Sequence, residues 1–171
     1  MPYPEALVDP MRRELTRLGV EELRTPEAVD AAFEAAEEGT LLLVINSVCG
    51  CAAANARPAV ALARQAPHQP NQYVTVFAGQ DLEATARARE ILAGIPPSSP
   101  FMALFKDGDP VFVIERRHIE GRSAGAIASD LVNAFEKYCG TDAVAEDGPE
   151  MPQTARQATG NGLPPTFRSI M

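Results

Sequence analysis

The chain has 171 residues, 46% hydrophobic and 22% charged, which suffices for one domain with a real core. A formal net charge of −8 without a basic stripe argues against nucleic acid and anionic lipid as partners, because phosphate binding rests on Lys and Arg. The longest apolar run, 41–45, is too short to span a bilayer, and MPYPEALVDPMRREL lacks the parts of a signal peptide, so no membrane association and a cytoplasmic location are expected.

Asp9-Pro10 reads as an N-cap and first helical residue, with Met11, Leu15 and Leu18 at helical spacing and Gly19 as the stop. Thr25-Pro26 repeats the start signal for a stripe of Val29, Phe33 and Ala36 that ends at Gly39. TLLLVIN (40–46) is a continuous apolar run and predicts a strand buried on both faces. Residues 49–65 are Ala-rich and predict a helix that Pro58 kinks or whose hydrogen-bond ladder it breaks. A second strand spans 73–78, and Asp81 caps a helix reaching about Leu92. IPPSSP (95–100) is a rigid loop, and FMALF and VFVIE flank an Asp107-Gly108 turn as a hairpin. Ser123 to Cys139 forms a last amphipathic helix carrying Ile127, Leu131, Val132 and Phe135.

Strands that alternate with helices need right-handed parallel crossovers, and the closing hairpin adds an antiparallel edge. The expected fold class is α/β: a mixed central sheet with helices on both faces. This domain occupies 1–140. From Thr141 the sequence turns rich in Gly, Pro and polar residues and loses its periodicity, so 141–171 reads as a flexible C-terminal tail whose end, LPPTFRSIM, carries apolar groups able to dock.

Three cysteines, two of them at positions 49 and 51, fit redox chemistry better than a disulfide scaffold. Cys49 follows a buried strand and opens a helix, where free N–H groups and a partial positive charge favour the nucleophilic thiolate. Gly50 removes a side chain between the sulfurs and permits a tight backbone. A Cys49–Cys51 disulfide must meet the usual Cα limits across one residue, so it should be strained and easily reduced. Purely structural cysteines, a non-catalytic metal carrier with a two-thiolate copper(I) site, and a binding module whose cysteines only sense oxidation are the rival readings. A zinc site would need Cys139, His68 and His118, which show no ligand spacing, so no metal is expected. Cys139 reads either as a half-buried helix-end residue or as a second resolving thiol, and both histidines read as surface or loop-packing residues. Pro100 is either a stiff trans turn or a cis residue that presents the Ser99 backbone to an extended substrate beside the cysteines.

NSVCGCAAANARP (46–58), with VTVFAGQD (74–81), PPSSP (96–100) and HIEG (118–121), resembles the bacilliredoxin family, in the same order from the first helix to Cys139. More distantly, Pro100 followed by FMALFKDG resembles the cis-proline strand and turn of thioredoxins, which implies a thioredoxin-like fold for 1–140. The resemblance implies a thiol–disulfide oxidoreductase that removes bacillithiol from client proteins, with bacillithiolated clients and bacillithiol as partners. It implies Cys49 as the attacking cysteine, Cys51 as the resolving one, Pro100 as the cis-proline beside Ser99, and no cofactor besides the thiol itself. Family members are also regarded as weak disulfide reductases or isomerases. The sequence leaves the oligomeric state open.

Overall fold

A computed structural model describes residues 2–140 of the chain; the segment read as a tail lies outside the described residues. In chain order the elements are α1 (Glu5–Thr16), β1 (Glu21–Glu22), α2 (Pro26–Ala35), β2 (Thr40–Asn46), a π turn (Ala52–Ala56) running into α3 (Arg57–Ala63), β3 (Gln72–Phe77), α4 (Leu82–Ile91), β4 (Phe101–Lys106), β5 (Asp109–Ile114), α5 (Arg116–Ile119) and α6 (Ala124–Tyr138).

The apolar run of β2 is buried along its whole length, as a strand covered on both faces must be. Its side chains alternate. Leu42 and Val44 join Val60, Ile127, Leu131 and Phe135 of α3 and α6 in one core. Leu41, Leu43 and Ile45 join Val29 of α2 and Ala84 and Ala88 of α4 in a second core on the opposite face. Each of these leucines, fully removed from water, contributes about 2 kcal/mol of transfer free energy. The sheet order is β1-β3-β2-β4-β5. β2 and β3 run parallel, β4 runs antiparallel to β2, and β5 closes the edge antiparallel to β4. This is the expected mixed α/β sheet, and it has the layout of a thioredoxin-like fold.

Several local signals hold. Thr25 caps α2 by accepting from the Ala28 N–H (3.1 Å), and Ser123 caps α6 by accepting from Ala126 (3.1 Å). Asp107 and Gly108 both have positive φ (50° and 87°), the backbone that a two-residue hairpin turn demands.

Others do not. α1 starts at Glu5, so Asp9 is no cap and Pro10 sits inside the helix. The missing Pro10 N–H would have bonded the carbonyl of exposed Ala6, which water can serve. What carries the helix through is its buried face of Val8, Arg12 and Leu15. Arg12 is held by Glu5 (2.7 Å), Glu22 (2.8 Å) and Asp81 (2.6 Å), which ties α1 to β1 and to the start of α4. For the same reason Asp81 occupies the N-cap position of α4 without capping it; its carboxylate is turned to Arg12. Pro58 breaks the helical ladder as expected, and the break takes the form of the π turn, in which the Arg57 N–H bonds the Ala52 carbonyl five residues back. The short elements β1 and α5 were not foreseen. Among the described residues no helix is long and apolar enough to cross a membrane.

Candidate active site

β2 and β3 end together, with Asn46 opposite Phe77, and β4 begins at the same end, with Phe101 opposite Ile45. One end of the sheet therefore gathers the turn after β2, the connection after β3, the loop before β4 and the segment after β5. Asn46 shapes the first of these: its Oδ1 accepts from the Ser47 N–H (2.9 Å) and from an Arg57 guanidinium N–H (3.0 Å). The same arginine donates to the Ser47 carbonyl (3.0 Å) and to Glu14 (2.5 Å).

Cys49 and Cys51 are half-buried free thiols with Sγ atoms 3.0 Å apart. The Cys49 carbonyl accepts from the N–H groups of Ala52 (3.0 Å) and Ala53 (3.3 Å), so the helix begins directly behind the cysteine. Burial opposes ionisation of Cys49, but the Ser47 hydroxyl, the Cys51 thiol and the N–H groups of Ala52 and Cys51 outweigh it and hold this thiol below its ordinary range. Cys51 moves the other way: the hydrogen bond with Cys49, then burial and the Cys49 charge raise it, against a smaller opposing pull from Arg116. The pair is thus split into a thiolate-prone sulfur and a thiol that keeps its proton. Gly50 is not required by this dithiol geometry; it lacks a positive φ, and a Cβ placed there meets nothing within 4 Å.

A cavity of about 330 Å³ opens beside Cys49, with Tyr3, Ser47, Arg89, Ser99 and Arg116 in its wall. The Ser99–Pro100 peptide is cis. Arg116 N–H groups donate to the Ser98 hydroxyl (3.2 Å, backbone) and the Ser99 carbonyl (3.3 Å, guanidinium). Its Nε donates to Glu120 (2.8 Å), whose same oxygen lies 3.9 Å from Cys51 Sγ. The structure therefore brings Cys49, Cys51, Ser99 and Pro100 to one end of the sheet. Among the described residues no group of three or more His, Cys, Asp or Glu converges as a metal site requires.

One histidine reading needs correction, and Cys139 is the half-buried helix-end residue of its first reading. His118 is not a surface or loop residue: it is 5% exposed in α5, and its Nδ1 accepts from the Glu115 N–H (3.0 Å). Burial, first, and the Arg117 charge push it below the ordinary imidazole range. Cys139 does not approach the pair as a second resolving thiol. It ends α6 beside Thr40, at the opposite end of β2 from Cys49, roughly 20 Å away along a seven-residue strand. His68 is exposed, as expected.

Comparison with known proteins decides the family. The family model described as disulphide isomerase matches residues 3–139. A bacilliredoxin of Salinibacter ruber (strain DSM 13855 / M31) is 67% identical over 171 residues, 99% of each chain. The chain belongs to the bacilliredoxin family. A bacilliredoxin of Koribacter versatilis (strain Ellin345) is 50% identical over 144 residues, covering 84% of this chain and 99% of its own. One of Geobacillus kaustophilus (strain HTA426) is 52% identical over 138 residues, 81% and 94% of the two chains. Bacilliredoxin membership carries a thiol–disulfide redox role. The Salinibacter alignment also runs into 141–171, beyond the end of the family match.

Sequence reasoning missed Arg89, Arg116 and Glu120. The local environment makes Ser47 testable. In Ser47→Ala the pH profile of Cys49 alkylation by iodoacetamide shifts to higher pH, because a lost hydroxyl donor leaves burial less opposed. Reactivity is present above the folded pKa and lost as pH falls through it, so the variant reacts more slowly at neutral pH. Mass spectrometry of the Cys49 peptide reads this directly; an unchanged profile removes Ser47 from the site.

Proposed function

We propose that this protein removes bacillithiol from mixed disulfides on cytosolic client proteins, with Cys49 as nucleophile. The observation that carries the proposal is the asymmetric dithiol: a thiolate-prone Cys49 beside a cavity and a protonated Cys51 3.0 Å behind it. In the first step the Cys49 thiolate attacks the bacillithiol sulfur. The client–bacillithiol S–S bond breaks, a Cys49–bacillithiol bond forms, and the client thiolate leaves and takes a proton from water. In the second step Cys51 gives up its proton and attacks Cys49 Sγ. Bacillithiol leaves reduced, and the protein holds a Cys49–Cys51 disulfide, oxidised by the two electrons the client gained. Alternatively a second bacillithiol resolves the adduct and leaves as its own disulfide. Either a thiol or a dithiol reductant restores the protein. Every step moves an electron pair between sulfurs, so the chemistry calls for no metal or organic cofactor.

The test is Cys51→Ala with a bacillithiolated client. Release of the client continues for one turnover, and mass spectrometry finds the adduct accumulating on Cys49 when free bacillithiol is withheld. An adduct on no cysteine, or loss of the first step altogether, overturns the assignment of roles. A second reading, general disulfide reduction or isomerisation, is supported by the description of the matching family model and by the position of Ser99 in the cavity wall. Rates on bacillithiolated, glutathionylated and plain disulfide clients separate the two.

A further inference from the structure

We propose that Arg89 and Arg116 form a carboxylate-binding subsite that seats the anionic end of a low-molecular-weight thiol while its sulfur lies on Cys49. The proposal deepens the exchange reading and rests on it. Both arginines line the cavity beside Cys49, one from α4 and one from α5, and no aspartate or glutamate lines it. Glu120 offsets Arg116 from outside the cavity wall, so Arg89 is the cation there without an ion-pair partner among the described residues, in a chain of net charge −8.

The two arginines are available to different degrees. Arg116 has Nε committed to Glu120 and one terminal nitrogen to the Ser99 carbonyl, which fixes its plane and leaves its other terminal nitrogen without a hydrogen bond among the described residues. The Arg89 Nε is buried and has no hydrogen-bond partner among the described residues. The buried Nε is closed to a ligand; what Arg89 offers the cavity is its pair of terminal nitrogens, for which no described residue supplies an acceptor and whose planar arrangement matches a carboxylate. The cavity, about 330 Å³, lies at the small end of the range for small-molecule sites. It suits a carboxylated thiol of about tripeptide size better than an extended client chain. The subsite would also decide which half of a mixed disulfide stays: the anionic small thiol is retained on Cys49 and the client departs.

The experiment uses the full chain and a client with a single cysteine, carried as a mixed disulfide with either mercaptosuccinate, which has two carboxylates, or 2-mercaptoethanol, which has none. The readout is the ratio of kcat/KM for the two adducts. Differences in thiol acidity and partial misfolding affect the variant and the wild type alike or both adducts alike, so they cancel when ratios are compared. In Arg89→Gln the anionic-to-neutral ratio falls about tenfold, the loss expected for one charge-assisted pair, and Arg89→Lys, which keeps the charge without the fork, recovers only part of it. Arg116→Gln lowers it in the same direction. A ratio that stays within about twofold of wild type in both glutamine variants overturns the subsite, and so does an equal loss on both adducts, which would mark the arginines as acting on the Cys49 charge alone. If wild type shows no preference for the anionic adduct, the subsite falls while the exchange reading stands. Release of neither adduct overturns both.

Discussion

Cys49→Ser lowers release of a thiol from a mixed-disulfide client by at least about a thousandfold while the protein stays folded. The hydroxyl is not ionised at any pH the protein tolerates, so the Ser47 hydroxyl and the N–H groups of Cys51 and Ala52 have no anion to stabilise. Cys51 is a poor substitute: burial still raises it, and it is not part of the wall of the cavity beside Cys49. Steady-state release assays, with thermal unfolding followed in parallel, give the result. Retention of more than about a tenth of wild-type activity would move the nucleophile to another sulfur.

Arg57→Ala is the largest expected loss of stability outside the apolar core, about 3 kcal/mol by chemical denaturation. The side chain is only 3% exposed and serves three acceptors: Asn46 Oδ1, the Ser47 carbonyl and Glu14. Truncation leaves the first two buried with one partner fewer, whereas Glu14 regains water. Because two of the three acceptors belong to the turn that leads into Cys49, activity falls together with stability. Arg57→Lys restores only part of both, since a single ammonium cannot reach positions that a fork spans. A loss below about 0.5 kcal/mol in the alanine variant would show that water replaces the guanidinium freely.

The layered α/β architecture was legible because its signals are local. The run at 40–46 reads as a doubly buried strand from composition alone, Thr25-Pro26 and Ser123 as helix starts, and Asp107-Gly108 as a turn needing positive φ. Asp9-Pro10 misled because the same local chemistry was outvoted by tertiary contacts: Arg12, anchored to residues 10 and 69 positions away, stabilises a helix that proline alone would have shortened. Of the site, the cysteine pair was visible as a spacing and Pro100 as a loop feature. Arg89 and Arg116 lie 40 and 67 positions from Cys49, and no pattern links them. Arg116 did leave a trace. The hairpin turn sets Lys106 opposite Asp109, and after the irregularity at Leu104/Phe105 Met102 faces Ile114. A regular ladder counted from that turn alone sets Arg116 opposite Ser99, whose carbonyl accepts from its guanidinium, so the hairpin pointed to the neighbourhood of Arg116 even without the irregularity.

The far-end position of Cys139 has a consequence for fidelity. A dithiol enzyme with a third sulfur risks locking itself into the wrong internal pair each time it is oxidised. Here that sulfur is separated from the other two by the length of the central strand, and burial keeps it protonated above the ordinary thiol range. Under the proposed exchange, oxidising equivalents that enter at Cys49 have a single internal outlet, and the cycle is insulated from its spare thiol by the hydrophobic core.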